Sequence, residues 1–77
     1  MLYRLCLFLV RSLVDDPDTV RIDRIQTERI DLFFLRVDKE DRGRILGKKG
    51  TTIGALRTFL EGVATRLDRE VVIELLD

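Results

Sequence analysis

The chain has 77 residues and a mass of 9.0 kDa, which predicts one domain spanning residues 1–77; its 45% hydrophobic and 36% charged residues are typical of a globular protein and exclude a disordered one. One cysteine and no histidine exclude an internal disulfide, a histidine-containing zinc site and a histidine general base. Lysine plus arginine total 14, and so do aspartate plus glutamate, so net charge alone does not indicate a nucleic-acid partner.

The first predicted element is a helix over residues 1–14. One face is expected to pack on the domain, and a second apolar face beside it either widens that contact or meets another chain. The segment Asp15-Asp16-Pro17 ends the helix, because proline disfavours the helical conformation in the residue before it. The two faces consist of Leu2, Cys6, Leu9 and Leu13, and of Tyr3, Leu7, Val10 and Val14.

This helix does not resemble a membrane span or a signal peptide. A helix of its length would extend about 21 Å, against about 30 Å for the hydrocarbon core of a bilayer. The apolar run at residues 5–10 is shorter than a typical signal-peptide core, and no small-residue cleavage site follows it. We therefore predict a cytoplasmic protein without membrane contact, in which Cys6 is a small buried hydrophobe.

Two strands follow, over residues 19–25 and 30–37. The first alternates Val20 and Ile22 with charged residues, the pattern of a half-buried strand. The second is apolar on both faces. We predict that it is central in the sheet, with one face on the helices and the other covered by a partner or used for binding.

A short second helix is predicted from Lys39 to about Leu46. Asp38 stands at its N-cap position, and Asp41 is placed to act as the acidic partner of a capping box. The helix is expected to stop at Gly47, where glycine allows the chain to leave the helical path.

The third helix is predicted to begin at Thr51 or Thr52, either of which would cap it. A buried strand over residues 71–76 completes an α-β-β-α-α-β order. The predicted fold class is α+β, a three-stranded sheet with helices packed on one face. The core stripe of the third helix is expected to be Ile53, Leu56, Leu60, Val63 and Leu67.

Charge is unevenly distributed along the chain. Residues 39–57 contain six basic and two acidic residues, whereas the remainder contains eight basic and twelve acidic ones. At the centre of the basic segment the sequence GKKG, residues 47–50, lies between two helices. Glycines permit positive φ and close approach of a ligand, and a helix start presents N–H groups and a positive dipole end. Together with Lys48 and Lys49, these features favour a phosphate group.

Three other interpretations of this loop compete. A lone GxxG is usually a solvated turn between helices. A nucleotide P-loop requires four residues between its glycines, whereas Gly43 and Gly47 enclose three. A helix-turn-helix DNA reader is disfavoured, because the lysines lie in the turn and the apolar stripe of the following helix is committed to the core.

The whole pattern resembles a type II KH domain, and specifically the small bacterial KhpA group, over nearly the whole chain. The segments that carry the resemblance are LVDDP at residues 13–17, DRGRILGKKG at 41–50, ALRT at 55–58 and VVIEL at 71–75. The resemblance implies a non-catalytic protein that clamps the backbone of single-stranded RNA with its GxxG loop. It also implies an RNA chaperone or post-transcriptional regulator that forms homodimers or pairs with a larger KH-containing RNA-binding protein.

Carried over by position, the resemblance makes Gly47, Lys48, Lys49 and Gly50 the backbone clamp, with Ile45 and Leu46 lining the base groove. No metal, cofactor or small-molecule substrate is expected. The alternative function is a protein-interaction subunit that uses its apolar first helix and second strand. Self-association is expected around Tyr3 on the first helix and around Phe59 and Val63, near Gly62, on the third. The full set of expected RNA-binding residues is Arg44, Ile45, Leu46, Gly47, Lys48, Lys49, Gly50, Thr51 and Arg57.

Overall fold

The computed structural model describes residues 1–76, and its elements follow the predicted α-β-β-α-α-β order. No helix in this part of the chain is long and apolar enough to cross a membrane. The elements are α1 (Leu2–Leu13), β1 (Arg21–Gln26), β2 (Ile30–Arg36), α2 (Lys39–Leu46), α3 (Thr51–Arg66) and β3 (Glu70–Leu75).

The three strands form one sheet in the order β1-β2-β3. β1 and β2 are an antiparallel hairpin, whereas β2 and β3 are parallel. A parallel connection needs a crossover, and α2 with α3 supplies it, so the helices cover one face of the sheet. The predicted central position of β2 is confirmed. β3 is an edge strand and not a fully buried one: Val71 and Ile73 are buried, whereas Val72 between them is 40% exposed.

The core lies between the sheet and the helices. In α1 the buried stripe takes Leu2 and Cys6 from the first predicted face and Val10 from the second, whereas Leu13 at the helix end is 38% exposed. Cys6 is fully buried as predicted, and burial raises the pKa of its thiol to about 12, which keeps it neutral at physiological pH.

In α3 the predicted core stripe is only partly confirmed. Ile53, Leu56 and Leu60 are buried, but Leu67 is 41% exposed because the helix ends one residue before it. Ala64 is buried in the core instead, and the predicted Val63 is only partly buried against it.

A buried ion pair fastens the sheet where β3 begins. The Arg69 guanidinium donates to both carboxylate oxygens of Asp31, at 3.1 and 3.2 Å. It also donates to the carbonyls of Thr27 and Glu28 in the β1–β2 turn, each at 2.8 Å. All oxygens of this buried carboxylate are thereby satisfied, and the start of β3 is held against the hairpin.

Candidate nucleic-acid interface

The GKKG loop joins α2 to α3 in a compact turn with an unusual backbone. Gly47 and Gly50 have φ of +72° and +75°, as expected from their lack of a Cβ. Lys49 between them also has a positive φ, +58°, which a non-glycine residue adopts rarely and at a cost of about 1–3 kcal/mol. Gly50 N–H donates to the Gly47 carbonyl at 3.1 Å and closes the turn.

Both lysines of the loop project into solvent. Lys48 and Lys49 are exposed, and within residues 1–76 no carboxylate lies within ion-pair distance of either ammonium group. They are two of the three lysines in the chain. Their charges are therefore free to attract an anion, in a molecule where several arginines are already paired.

The first turn of α3 has no side-chain cap. The N-cap residue is Gly50. The Thr51 N–H that follows it donates to the Lys48 carbonyl, and no side-chain cap serves the next N–H groups of the turn. The predicted threonine cap is wrong, because the Thr51 hydroxyl donates backwards to the Lys48 carbonyl at 2.9 Å. Helix N–H groups without an internal acceptor, next to two cations, form an arrangement suited to an anionic oxygen.

Arg44, also expected at the RNA, is held by carboxylates. Its Nη2 lies 2.7 Å from Asp15 Oδ2, and its Nε lies 3.2 Å from Asp41 Oδ1. Asp41 is itself 3% exposed and accepts the N–H groups of Asp15 and Asp16 at 3.1 and 3.3 Å. Asp38 likewise makes no side-chain cap bond. The predicted capping box is therefore wrong: Asp41 instead joins the end of α1 to α2.

Replacing Asp41 with alanine is expected to reduce the free energy of unfolding by about 2–3 kcal/mol, because two N–H groups and one guanidinium lose their common acceptor. Asp41→Asn retains an oxygen at the same place and should lose less. Urea denaturation with an unchanged m-value would measure the difference. Equal stability of Asp41→Ala and the wild type would show that the carboxylate does not hold α1 to α2.

The two residues expected to line the groove are placed differently. Ile45 is fully buried in the core, so its side chain supports the loop from below and presents no surface to a ligand. Leu46, the last residue of α2, is 40% exposed beside Gly47. Of the two, Leu46 alone offers a surface to a base.

Arg57 lies on the side of α3 that faces the edge strand β3. Its Nε and Nη2 both donate to the Ile73 carbonyl, at 3.2 and 3.0 Å. The side chain therefore forms one wall of a shallow cleft between α3 and β3, with Glu61 and Glu74 among the other lining residues. The structure thus brings together the loop and Thr51, and places Arg57 further along the same helix.

A second surface, which the sequence pattern did not reveal as a groove, runs between α1 and α3. It is an open apolar depression of about 440 Å³. Phe59 at its margin is 52% exposed. The contact between two helices forms this groove, so its only signal in the sequence was the surplus of apolar residues. Its lining residues are Leu9, Ser12, Leu13, Thr51, Thr52, Ala55, Leu56 and Phe59.

A three-stranded sheet in α-β-β-α-α-β order, with helices on one face and a GxxG loop between α2 and α3, is the architecture of a type II KH domain. Comparison with known proteins gives the same class. The model of the KhpA/KhpB KH domain matches residues 4–75, and the chain belongs to this family.

Individual relatives are similar along most of their length. The chain is 40% identical to the RNA-binding protein KhpA of Borreliella burgdorferi over 70 residues, which are 91% of this chain and 85% of that protein. It is 40% identical to the KhpA of Chlamydia pneumoniae over 91% of this chain and 90% of that protein. Identity to the KhpA of Aquifex aeolicus is 37% over 67 residues. No solved structure gives a significant match.

Proposed function

We propose that this protein binds single-stranded RNA without chemical catalysis, as a single cytoplasmic KH domain. The observation that carries the proposal is the pair of unpaired, exposed lysines on a loop whose glycines have positive φ, directly before an uncapped helix start. Phosphate oxygens would accept from Lys48, Lys49 and the N–H groups that follow Thr51 in the first turn of α3. The family relatives named RNA-binding protein KhpA support the RNA-binding part of this proposal.

The remaining residues divide into contacts and supports. Gly47 and Gly50 shape the loop, while Leu46, Thr51 and Arg57 lie where the adjoining nucleotides would pass. Arg44 contributes to the surrounding positive potential, although its guanidinium is already shared between Asp15 and Asp41. Ile45 is buried in the core, so it would support the fold next to the loop without contacting RNA.

The proposal includes the absence of catalytic activity. Within residues 1–76 no group of three histidine, cysteine, aspartate or glutamate side chains is placed to hold a metal ion. Burial keeps the Cys6 thiol protonated and away from solvent. On the family resemblance, the proposed role of this RNA binding is that of an RNA chaperone or post-transcriptional regulator.

Titration of the protein with a short single-stranded RNA, and with the corresponding duplex, tests the proposal. We expect binding to the single strand and an apparent affinity that falls as salt rises, since phosphate contacts release counterions. Equal affinity for the duplex, or no binding at low salt, would contradict it. The latter result would favour the alternative function, a protein-interaction subunit with an idle loop.

We further propose that the α1–α3 groove is a protein contact, in a homodimer or with a larger KH-containing protein. Phe59 and Leu13 are large apolar side chains that stay partly exposed beside the groove, and such residues are common energetic anchors of interfaces. Tyr3 is less suited to this role than expected. Its ring packs edge-to-face on Phe33, with a centroid distance of 6.2 Å, and lies under the Arg24 guanidinium.

Phe59→Asp is therefore expected to shift a dimer towards monomer while retaining the fold, because the side chain is half-exposed and lies at the margin of the groove. Sedimentation across micromolar to millimolar concentrations measures the shift. Tyr3→Asp is a poor probe, since it would disturb the packing on Phe33. A wild-type protein that sediments as a 9.0 kDa species at every concentration would contradict the homodimer, and pull-down with the larger KH protein would then test the other partner.

A further inference from the structure

The outer face of α1 combines an exposed aromatic side chain with cationic ones. Its exposed residues are Arg4, Phe8, Arg11 and Ser12. Phe8 is two positions from each of the buried residues Cys6 and Val10, and at 3.6 residues per turn this places it on the opposite side of the helix. Its side chain is 66% exposed, against 52% for Phe59 at the groove. A phenyl ring in this position contributes little to the core.

No negative charge on α1 balances the arginines of this face. The helix contains no aspartate or glutamate. Arg4 and Arg11 lie one turn before and one turn after Phe8, which are neighbouring places on a helix surface. Within residues 1–76 no carboxylate lies within ion-pair distance of either guanidinium. A third guanidinium, that of Arg24 on β1, lies 4.9 Å from the centre of the Tyr3 ring in the first turn of α1. The outer face of α1 is therefore cationic and unpaired.

An anionic surface that also offers hydrocarbon satisfies both features of this face. Guanidinium groups bind phosphate oxygens through two parallel hydrogen bonds. A phenyl ring exposed beside them gains free energy where it leaves water. RNA supplies phosphates but has no apolar interior, whereas a phospholipid bilayer supplies phosphates directly above hydrocarbon. The charges and the aromatic ring together therefore favour a bilayer over a nucleic acid.

The shape of the face also suits a bilayer. A helix is a convex ridge, about 10–12 Å in diameter with its side chains. A rigid protein receives such a ridge only in a matching groove, whereas the headgroup region deforms around it. With 12 residues α1 is too short to span a bilayer, which is why its length predicted no membrane contact. A helix too short to span can still lie parallel to the membrane plane, with one face in the headgroup region.

We propose that the outer face of α1 docks the protein on a phospholipid bilayer with anionic headgroups. Arg4 and Arg11 contact lipid phosphates, and Phe8 enters the boundary between headgroups and acyl chains. None of these three residues belongs to the GKKG loop or to the lining of the α1–α3 groove. Docking therefore uses no residue of either surface, and the inference does not depend on the proposed RNA binding.

Vesicles of phosphatidylcholine and phosphatidylglycerol in equal parts test the docking, with vesicles of phosphatidylcholine alone as the comparison. The chain contains no tryptophan, so Phe8→Trp places a single indole on the face and keeps an aromatic ring there. We expect the emission of this variant to shift to shorter wavelength with the anionic vesicles. The shift should disappear at high salt or with phosphatidylcholine alone. Co-sedimentation of the wild type with the same vesicles should follow the same order.

Substitutions at the exposed positions measure each contribution to docking. Arg4→Gln combined with Arg11→Gln should weaken binding to the anionic vesicles about 25-fold, at about fivefold for each arginine. Phe8→Ala should weaken it about tenfold, because less apolar area leaves water on docking. All three side chains are exposed, so the variants should retain the fold, and circular dichroism checks this.

Two matched controls change the same chemistry elsewhere. Arg29→Gln combined with Arg66→Gln changes the net charge equally at exposed positions outside α1. Ile25→Ala removes an apolar side chain that is 53% exposed; it follows Arg24 in β1, so by alternation it lies on the sheet face away from the helices. Both controls should bind the anionic vesicles nearly as the wild type does.

Four results would overturn the inference. The first is a wild type that binds neither kind of vesicle at low salt, and the second is equal binding by the α1 arginine variant and its control. The third is an emission shift of Phe8→Trp with protein concentration alone, which would make the face a contact between copies. The fourth is a shift with single-stranded RNA but not with vesicles, which would make it a nucleic-acid contact. Should Phe8→Trp misfold, co-sedimentation of the wild type and the arginine variants decides.

Discussion

Replacing Lys48 and Lys49 together with aspartate is expected to abolish RNA binding and leave the fold intact. Both side chains are exposed and neither takes part in an ion pair in the described part of the chain, so the core loses nothing. The change places two carboxylates beside the uncapped start of α3, where they satisfy the N–H groups that the phosphate would otherwise use. Repulsion then adds to the loss of two cations.

Titration with single-stranded RNA measures the expected loss of binding, and thermal unfolding measures whether the fold is retained. A matched control is Lys39→Asp with Arg66→Asp, which changes the net charge equally at exposed positions away from the loop. The control should weaken binding only slightly, through the general potential of the molecule. A folded Lys48→Asp, Lys49→Asp protein with unchanged affinity and salt dependence would place the RNA elsewhere.

The second large effect is expected at Gly47, where alanine should destabilise the protein far more than the same change at Gly50. Both glycines have positive φ, so a Cβ is strained at either position. At Gly47 a Cβ would also overlap the side chain and backbone nitrogen of Thr52 in the first turn of α3, whereas at Gly50 it would meet nothing within 4 Å. The rigid backbone cannot withdraw easily, so Gly47→Ala should lose about 3 kcal/mol or more.

Urea denaturation of the two variants measures this contrast. A domain of this size is stable by about 4–12 kcal/mol in total, so Gly47→Ala would leave a substantially unfolded population. Gly50→Ala should lose about 1 kcal/mol and fold well enough for RNA titration, in which the altered loop weakens binding. Equal stability of the two variants would mean that the contact with Thr52 does not constrain the loop.

The order of elements and the position of the loop were predictable from the sequence because they depend on local patterns. Apolar residues at helical or alternating spacing locate α1, α3 and β2 within a few residues. Gly47 and Gly50 predicted positive φ because the absence of a Cβ is a property of the residue itself. The positive φ of Lys49 was not predictable, since lysine has no preference for it and only closure of the turn requires it.

Burial of the elements was predicted less well where it depends on neighbours. The apolar composition of β3 suggested a fully buried strand, but the crossover through α2 and α3 places it at the sheet edge. The sequence left open whether the second apolar face of α1 widens the core contact or meets another chain; in the structure its residues Tyr3, Leu7 and Val14 are partly buried against the core. Which residues enter the core depends on how the helix packs on the rest of the domain, and the buried residues Leu2, Cys6 and Val10 come from both faces.

The sequence by itself determined the family, the class of fold and the loop expected to hold phosphate, because each of these rests on residues close together in the chain. Only the tertiary structure decided which charges remain available to a ligand. Asp41 accepts N–H groups from residues 25 and 26 positions away, and Arg44 pairs with an aspartate 29 positions away. Arg57 meets a carbonyl 16 positions away. Such partners are brought together by the packing of elements. The sequence alone therefore does not distinguish Arg44, which pairs with carboxylates, from Arg57, which donates to a backbone carbonyl.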